Sequence, residues 1–193
     1  MKKGEDLNSL RPYAGIRLAI AVTSSVALLV TLSGCSEHKA ARHYALPHSM
    51  CGIPVDSNRL APFMPSGRKL TVKYDTSDEW ASFCEISIDS RHVVQTEQMW
   101  MTGGHDTSYF VGGQANSKLN HQAEDGRFIF SGWEGFGKTR HCRSKKLLNS
   151  ELFTAFQMHS SDHQDADAMK QLITEFTTAV EKTDTCRKGK PFS

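Results

Sequence analysis

The sequence predicts an α+β fold: one small domain with a mainly antiparallel sheet, a C-terminal helix packed on it, and two disulfides. Three observations carry this. Short segments of alternating apolar and polar residues follow one another between polar turns. One segment near the C-terminus repeats its apolar residues at helical spacing. Four cysteines, Cys51, Cys84, Cys142 and Cys186, are spread through the part of the chain that holds these patterns.

"VDSNRLAPFMPSG" offers Asp56 as the N-cap of a short helical turn bearing Leu60, Phe63 and Met64, stopped by Pro65-Ser66-Gly67. Leu70, Val72 and Tyr74 then alternate with polar residues. After a polar turn at 75–79, Cys84, Ile86 and Ile88 do the same. Asp89-Ser90-Arg91 reads as a tight connection into "HVVQTEQMWM", which completes an antiparallel meander of three strands. Residues 102–126 are Gly-rich and polar and read as a long loop, with at most a short helix near 115–123. "RFIFSG" returns to strand, and "WEGFGKTRHC" reads as a Gly-punctuated connection. Leu152, Phe156 and Met158 mark a further strand. In "DADAMKQLITEFTTAVEK", Met169, Leu172, Ile173, Phe176, Ala179 and Val180 share one helical face. Asp162, Asp165 and Asp167 lie at the helix N-terminus, where they suit the helix dipole.

The N-terminal region reads as targeting. Residues 1–17 hold four basic and two acidic side chains. Leu18 to Leu32 is an apolar run of 15 residues with only Thr23, Ser24, Ser25 and Thr31 polar. A basic head, an apolar run and small residues are the parts of an export signal. The run is shorter than the ~20 residues that a membrane-crossing helix needs. It ends in Leu32-Ser33-Gly34-Cys35, which resembles the lipobox of bacterial lipoproteins. In that pattern small side chains let an extended backbone enter a membrane peptidase, and the Cys thiol takes a diacylglyceryl group. The divisions expected are 1–34 signal peptide, 35–50 lipidated N-terminus and flexible tether, and 51–193 globular domain. Cys35 is the expected lipidation site, carrying palmitate-type chains. Two or more acyl chains anchor a protein stably where one does not.

This reading settles two counts. The whole chain has 23 basic and 21 acidic residues, a formal net charge of +2. Removing the four basic and two acidic residues of the leader leaves 19 of each, so the remainder is neutral. Nothing in that balance suggests a nucleic-acid partner, which usually needs a basic stripe. The cluster of Arg140, Arg143, Lys145 and Lys146 reads as a solvated turn. The five cysteines become four once Cys35 is set aside, and four allow three pairings. The pairing expected is Cys51 with Cys84 and Cys142 with Cys186, because each pair then brackets one compact segment. No C-x2-C spacing supports the alternative of a zinc site.

The lipobox, the opening "CGIPVDSNRLAPFMPSG", the strand "FCEISID" and the ending "AMKQLITEFTTAVEKTDTC" together resemble small secreted lipoproteins of actinobacteria, Streptomyces in particular. The resemblance spans most of residues 32–186. It implies a surface-exposed lipoprotein at the cell membrane, facing outward, and carries no activity and no catalytic residues with it.

Few residues stand in a pattern that carries chemistry. There is no G-x-S-x-G elbow, no H-E-x-x-H helix and no phosphate-binding loop. His38, His43 and His48 are five apart in the expected tether. "HQDAD" at 163–167 is explained by helix capping, and it lacks the Gly of a calcium loop. No catalytic, cofactor-binding or metal-ligating residue is assigned, and no cofactor is expected. Trp100, Tyr109, Trp133 and Phe136 are candidates for an exposed aromatic platform, with core packing the ordinary alternative. The expected role is a non-enzymatic binding or interaction domain, held to the membrane through Cys35 and meeting an envelope protein, polymer or small ligand. The alternative is an envelope hydrolase or wall-modifying enzyme with dispersed residues, for which His105, Asp106 and Glu134 are the candidates.

Overall fold

The computed structural model describes residues 41–116 and 118–192. The lipobox with Cys35, and the segment 36–40 of the expected tether, lie outside them. The first elements among the described residues are a pair of two-residue strands, β1 (Ser49–Met50) and β2 (Ile53–Pro54). A short helix α1 (Ser57–Leu60) follows and tightens into a 3-10 turn, Ala61–Phe63. Asp56 caps α1 by accepting from the Asn58 N–H. Seven strands then form one antiparallel sheet: β3 (Leu70–Asp75), β4 (Ala81–Ile88), β5 (Arg91–Met101), β6 (His121–Ala123), β7 (Phe128–Phe130), β8 (Glu134–Ser144) and β9 (Ser150–Met158). Helix α2 (Thr107–Gly112) lies between β5 and β6. Helices α3 (Ala166–Val180) and α4 (Asp184–Lys188) end the chain. The spatial order is β3-β4-β5-β9-β8-β7-β6. The sheet is therefore two meanders joined where β9 pairs with β5.

The three-strand meander is built as its sequence suggests. Asp89 and Ser90 form the two-residue turn from β4 to β5, both at positive φ (49° and 67°). This is the backbone that a tight hairpin with right-handed strand twist requires. The Asp89 carboxylate also accepts from the Arg68 and Lys69 N–H groups, which fixes the entry to β3.

One face of the sheet forms the main core. Ile86, Ile88, Val94, Trp100, Leu152 and Phe156 meet Leu172, Ile173, Phe176 and Val180 of α3, and all are buried. Phe156 and Phe176 meet edge to face with centroids 5.6 Å apart. Each such side chain removed from water contributes roughly 1.5–3 kcal/mol before entropy is counted. Asp165 caps α3 by accepting from the Ala168 N–H.

Two glycines let α3 lie this close. Gly135 and Gly137 of β8 point at the helix. A Cβ on Gly135 would sit 2.8 Å from Ile173 Cβ, and one on Gly137 would sit 2.6 Å from Thr177 Oγ1 and 2.8 Å from the Phe128 ring. The space they leave is used for a buried polar joint. Thr177 donates to the Ile173 carbonyl at 2.7 Å, which leaves the Thr154 hydroxyl to donate to Thr177 Oγ1 at 2.7 Å, with the Gly137 carbonyl 3.3 Å away.

Both disulfides join as expected. Cys51 pairs with Cys84 and Cys142 with Cys186. The first ties the β1–β2 hairpin to β4. The second ties β8 to α4 across a register shift that falls between Lys138 and Arg143. Closing loops of 33 and 44 residues, each bridge restricts the unfolded chain by roughly 4 kcal/mol in the chain-entropy picture.

Three expectations need correction, and one strand takes an unexpected place. "WEGFGKTRHC" is mostly strand β8, because its glycines serve helix packing instead of a turn. The helix in the loop 102–126 is α2, earlier than 115–123, since Asp106 caps it by accepting from the Tyr109 N–H. Val72 and Tyr74 alternate as predicted but lie 52% and 53% exposed, because β3 is the sheet edge and nothing among the described residues covers them. The domain also starts before Cys51. The Arg42 guanidinium donates to the Ala61 and Met64 carbonyls at 2.8 and 2.7 Å, Tyr44 and Leu46 pack on the core, and Met50 is buried. That part of the expected tether is folded domain.

The glycine contact gives a direct test. Gly135→Ala should destabilise the fold by about 1–3 kcal/mol through overpacking. Gly112→Ala, at the end of α2 where a Cβ would meet nothing within 4 Å, should be neutral or stabilising by up to about 1 kcal/mol. Chemical denaturation of both variants checks this, and equal midpoints would show that the helix has slack.

Candidate functional site

The opposite face of the sheet is covered differently. Alternation along the paired strands places Met99 and Met101 of β5, Phe153 and Ala155 of β9, and Phe136 of β8 on this side. Helix α2 drops Phe110 onto them, giving a second, smaller core of Phe110, Phe136, Phe153 and Ala155. Phe110 lies 5.3 Å from Phe153 and 5.8 Å, edge-on, from Phe136. Two further bonds hold α2 down. The Thr107 hydroxyl donates to the Arg127 carbonyl, and Lys138 Nζ donates to the His105 carbonyl.

Between α2 and β5 runs a cleft of about 440 Å³, lined by Met99, Met101, Tyr109, Phe110 and Gln114. Tyr109 stands at this cleft, 59% exposed, with its ring stacked on His105 at 3.8 Å. Methionine and aromatic linings are adaptable apolar surfaces.

Beside the cleft lies a buried polar cluster. Glu97 on β5 and Glu134 on β8 flank the central strand β9, opposite Ala155 and Gln157 respectively. They are 1% and 2% exposed. The Gln114 amide donates to Glu97 at 3.4 Å. The Gln157 amide donates to Glu134 at 3.0 Å and to the Gln114 carbonyl at 3.1 Å, and the Asn116 N–H donates to both Glu134 oxygens at 3.1 Å. Gln114 therefore joins the cleft wall to the cluster. Glu97 Oε2 has no hydrogen-bond partner among the described residues. Burial pushes the Glu97 carboxyl up to about 7, since an ion removed from water is costly. At the far end of the same strands His92 and His159 stack at 4.2 Å. Burial and the neighbouring His92 hold the His159 imidazole below its ordinary range.

Asp106 is the α2 cap, His105 stacks on Tyr109 and meets the Thr102 hydroxyl at 3.4 Å, and Glu134 is part of the buried cluster. Each is held by its own partners. Trp100 and Phe136 are core residues and Trp133 is half-buried, so of the aromatic platform only Tyr109 is strongly exposed. His48 meets the Ser57 hydroxyl, while His38 lies outside the described residues. In "HQDAD", Asp165 is the α3 cap and the His163 ring packs edge-on to Phe63. Arg140 and Arg143 pair with Glu124 and Glu151, and Lys145 and Lys146 are exposed in a turn. Among the described residues no group of three or more His, Cys, Asp or Glu side chains is arranged to hold a metal ion, and no helix is long and apolar enough to cross a membrane.

Sequence reasoning missed Glu97. The available signal was a carboxylate within "HVVQTEQMWM", flanked by apolar residues on both strand parities. That pattern marks a strand covered on both faces.

The Glu97 shift carries a pH dependence. Its folded value lies above the unfolded one, so the fold prefers the protonated form. Both states are protonated at low pH and this group then costs nothing. As pH rises from about 4.5 to about 7, stability falls by roughly 3 kcal/mol. Glu97→Gln should be more stable than the parent at pH 8 and close to it at pH 4.5, by urea denaturation at each pH. An unchanged pH profile would contradict the assignment. No family model matches the chain, and neither does any curated protein or solved structure.

Proposed function

We propose that the chain is a lipid-anchored domain on the outer side of a bacterial cell membrane that binds an envelope partner without transforming it. The anchor reading rests on Leu32-Ser33-Gly34-Cys35 standing in lipobox register behind an apolar run. The pairing of the other four cysteines supports it, because it leaves Cys35 as the one thiol outside a bridge. The binding reading is carried by one observation: Tyr109 is 59% exposed at a methionine-lined cleft. Exposed aromatic side chains beside an apolar pocket are typical anchors for a partner.

The envelope hydrolase is the second reading, and one observation favours it. Glu97 and Glu134 flank the same strand, and Glu97 is pushed up to about 7, as a general acid requires. Their burial and their amide partners weigh against contact with a substrate, so the binding reading is preferred.

Feeding a clickable fatty acid to a lipoprotein-processing bacterium that expresses the full chain should label the protein, and Cys35→Ser should abolish the label. Labelling that survives the substitution would refute the anchor. In the same cells, Tyr109→Ala should lose most of the envelope neighbours captured by proximity labelling, whereas Leu148→Ala, at an exposed turn residue, should keep them. Identical capture by the two variants would move the binding surface away from the cleft.

A further inference from the structure

Strand β3 is a sheet edge whose charged guards, Lys73 and Asp75, pair with each other at 3.6 Å. Natural edges are usually short, bulged, covered or charged on the open side. This one is six residues long, pairs with β4 throughout without a register shift, and carries Val72 and Tyr74 exposed. Both lie on the apolar, α3 side of the sheet, opposite Ile86 and Cys84.

The backbone pattern follows from one bond. The Asp89 N–H donates to the Lys69 carbonyl at 2.9 Å, and these residues are opposite each other by the β3–β4 register. In an antiparallel ladder such pairs alternate. Residues 69, 71, 73 and 75 therefore turn their N–H and C=O groups toward β4, and Leu70, Val72 and Tyr74 turn theirs to the open edge.

We propose that this edge pairs with the same edge of a second copy of the chain, antiparallel about a two-fold axis at Val72. The residues select that register. With Val72 opposite Val72, Leu70 meets Tyr74 of the second copy, so one face of the joint is apolar throughout. On the other face Thr71 meets Lys73, and Lys69 meets Asp75 at both ends. Opposite charges facing across a pair stabilise it and like charges destabilise it. Sliding by one step in one sense sets Lys73 against Lys73, and in the other sets Lys69 against Lys73. A further step in the first sense leaves three of the six strand positions opposed, and a further step in the other sense leaves one, against five in the proposed register. Slides that place an edge-facing residue opposite one facing β4 are excluded by the ladder itself. The interface is isologous, as a two-fold dimer requires. A six-residue edge is small for a stable interface. If both copies are anchored in one membrane, as proposed above, their effective concentration rises, but the geometry does not depend on the anchor.

The test uses the full chain purified in detergent at high concentration, oxidised mildly, with the parent chain setting the background. Across a hydrogen-bonded pair the Cα atoms are about 5.5 Å apart, within disulfide reach. Val72→Cys should therefore give a disulfide dimer at least about tenfold faster than Tyr74→Cys, whose two copies would lie roughly 13 Å apart along the strand. Lys69→Asp added to Val72→Cys should cut the dimer yield severalfold, and adding Asp75→Lys as well should restore it. Equal trapping at 72 and 74, fastest trapping by Lys73→Cys, or no dimer above background would each overturn the pairing. So would sedimentation of the parent chain as a monomer at every concentration. Every chain in the test also carries Cys35→Ser, so the introduced cysteine is the one thiol outside the two bridges and no outcome depends on acylation.

Discussion

The close seating of α3 on β8 is the contact on which the rest of the structure depends. Gly135 and Gly137 remove two side chains from the middle of a strand, and Ile173 and Thr177 occupy the space. The cost is ordinarily real, since glycine in a strand interior loses packing and chain entropy. It is offset because the helix then reaches deep enough for Phe176 to meet Phe156 and for Thr177 to bond Thr154. The Cys142–Cys186 bridge fastens the end of the same unit, linking β8 to the helix that follows α3.

Fixing β8 and β9 on one side fixes what lies on the other. Side chains alternate along a strand, so Gly135 and Gly137 facing α3 require Glu134, Phe136 and Lys138 to face α2. The second core and the buried acid–amide cluster are thus the reverse side of the helix contact. Each covering layer is small and different in kind. The α3 layer is apolar and deep, whereas the α2 layer is one short helix over a methionine-lined cleft with carboxylates behind it.

Much of the fold was legible in the sequence for physical reasons that can be named. Asp56, Asp165 and the Asp89-Ser90 turn act through local chemistry and signal themselves without tertiary context. The helical face of α3 and the four cysteines that form the bridges are similarly plain. What failed depended on partners distant in sequence. Glycines in "WEGFGKTRHC" look like turn residues unless the helix that needs them, some forty residues on, is known. Val72 and Tyr74 alternate like core residues, and only their place at the sheet edge exposes them. Of the candidate site, Tyr109 and Glu134 were visible as residue types. Glu97 was not, because its burial comes from α2 and the loop after it, whose position depends on the Asp106 cap.

The central claim is that α3, β8 and β9 form one cooperative unit. Native-state hydrogen exchange of the full chain tests it most directly. The account predicts that amides of Phe136, Ala155, Phe156, Ile173 and Phe176 share the highest opening free energy, while those of α2 open at lower cost. Exchange of the α3 amides well before those of β8 and β9 would contradict it, since the helix would then leave the sheet without unfolding it.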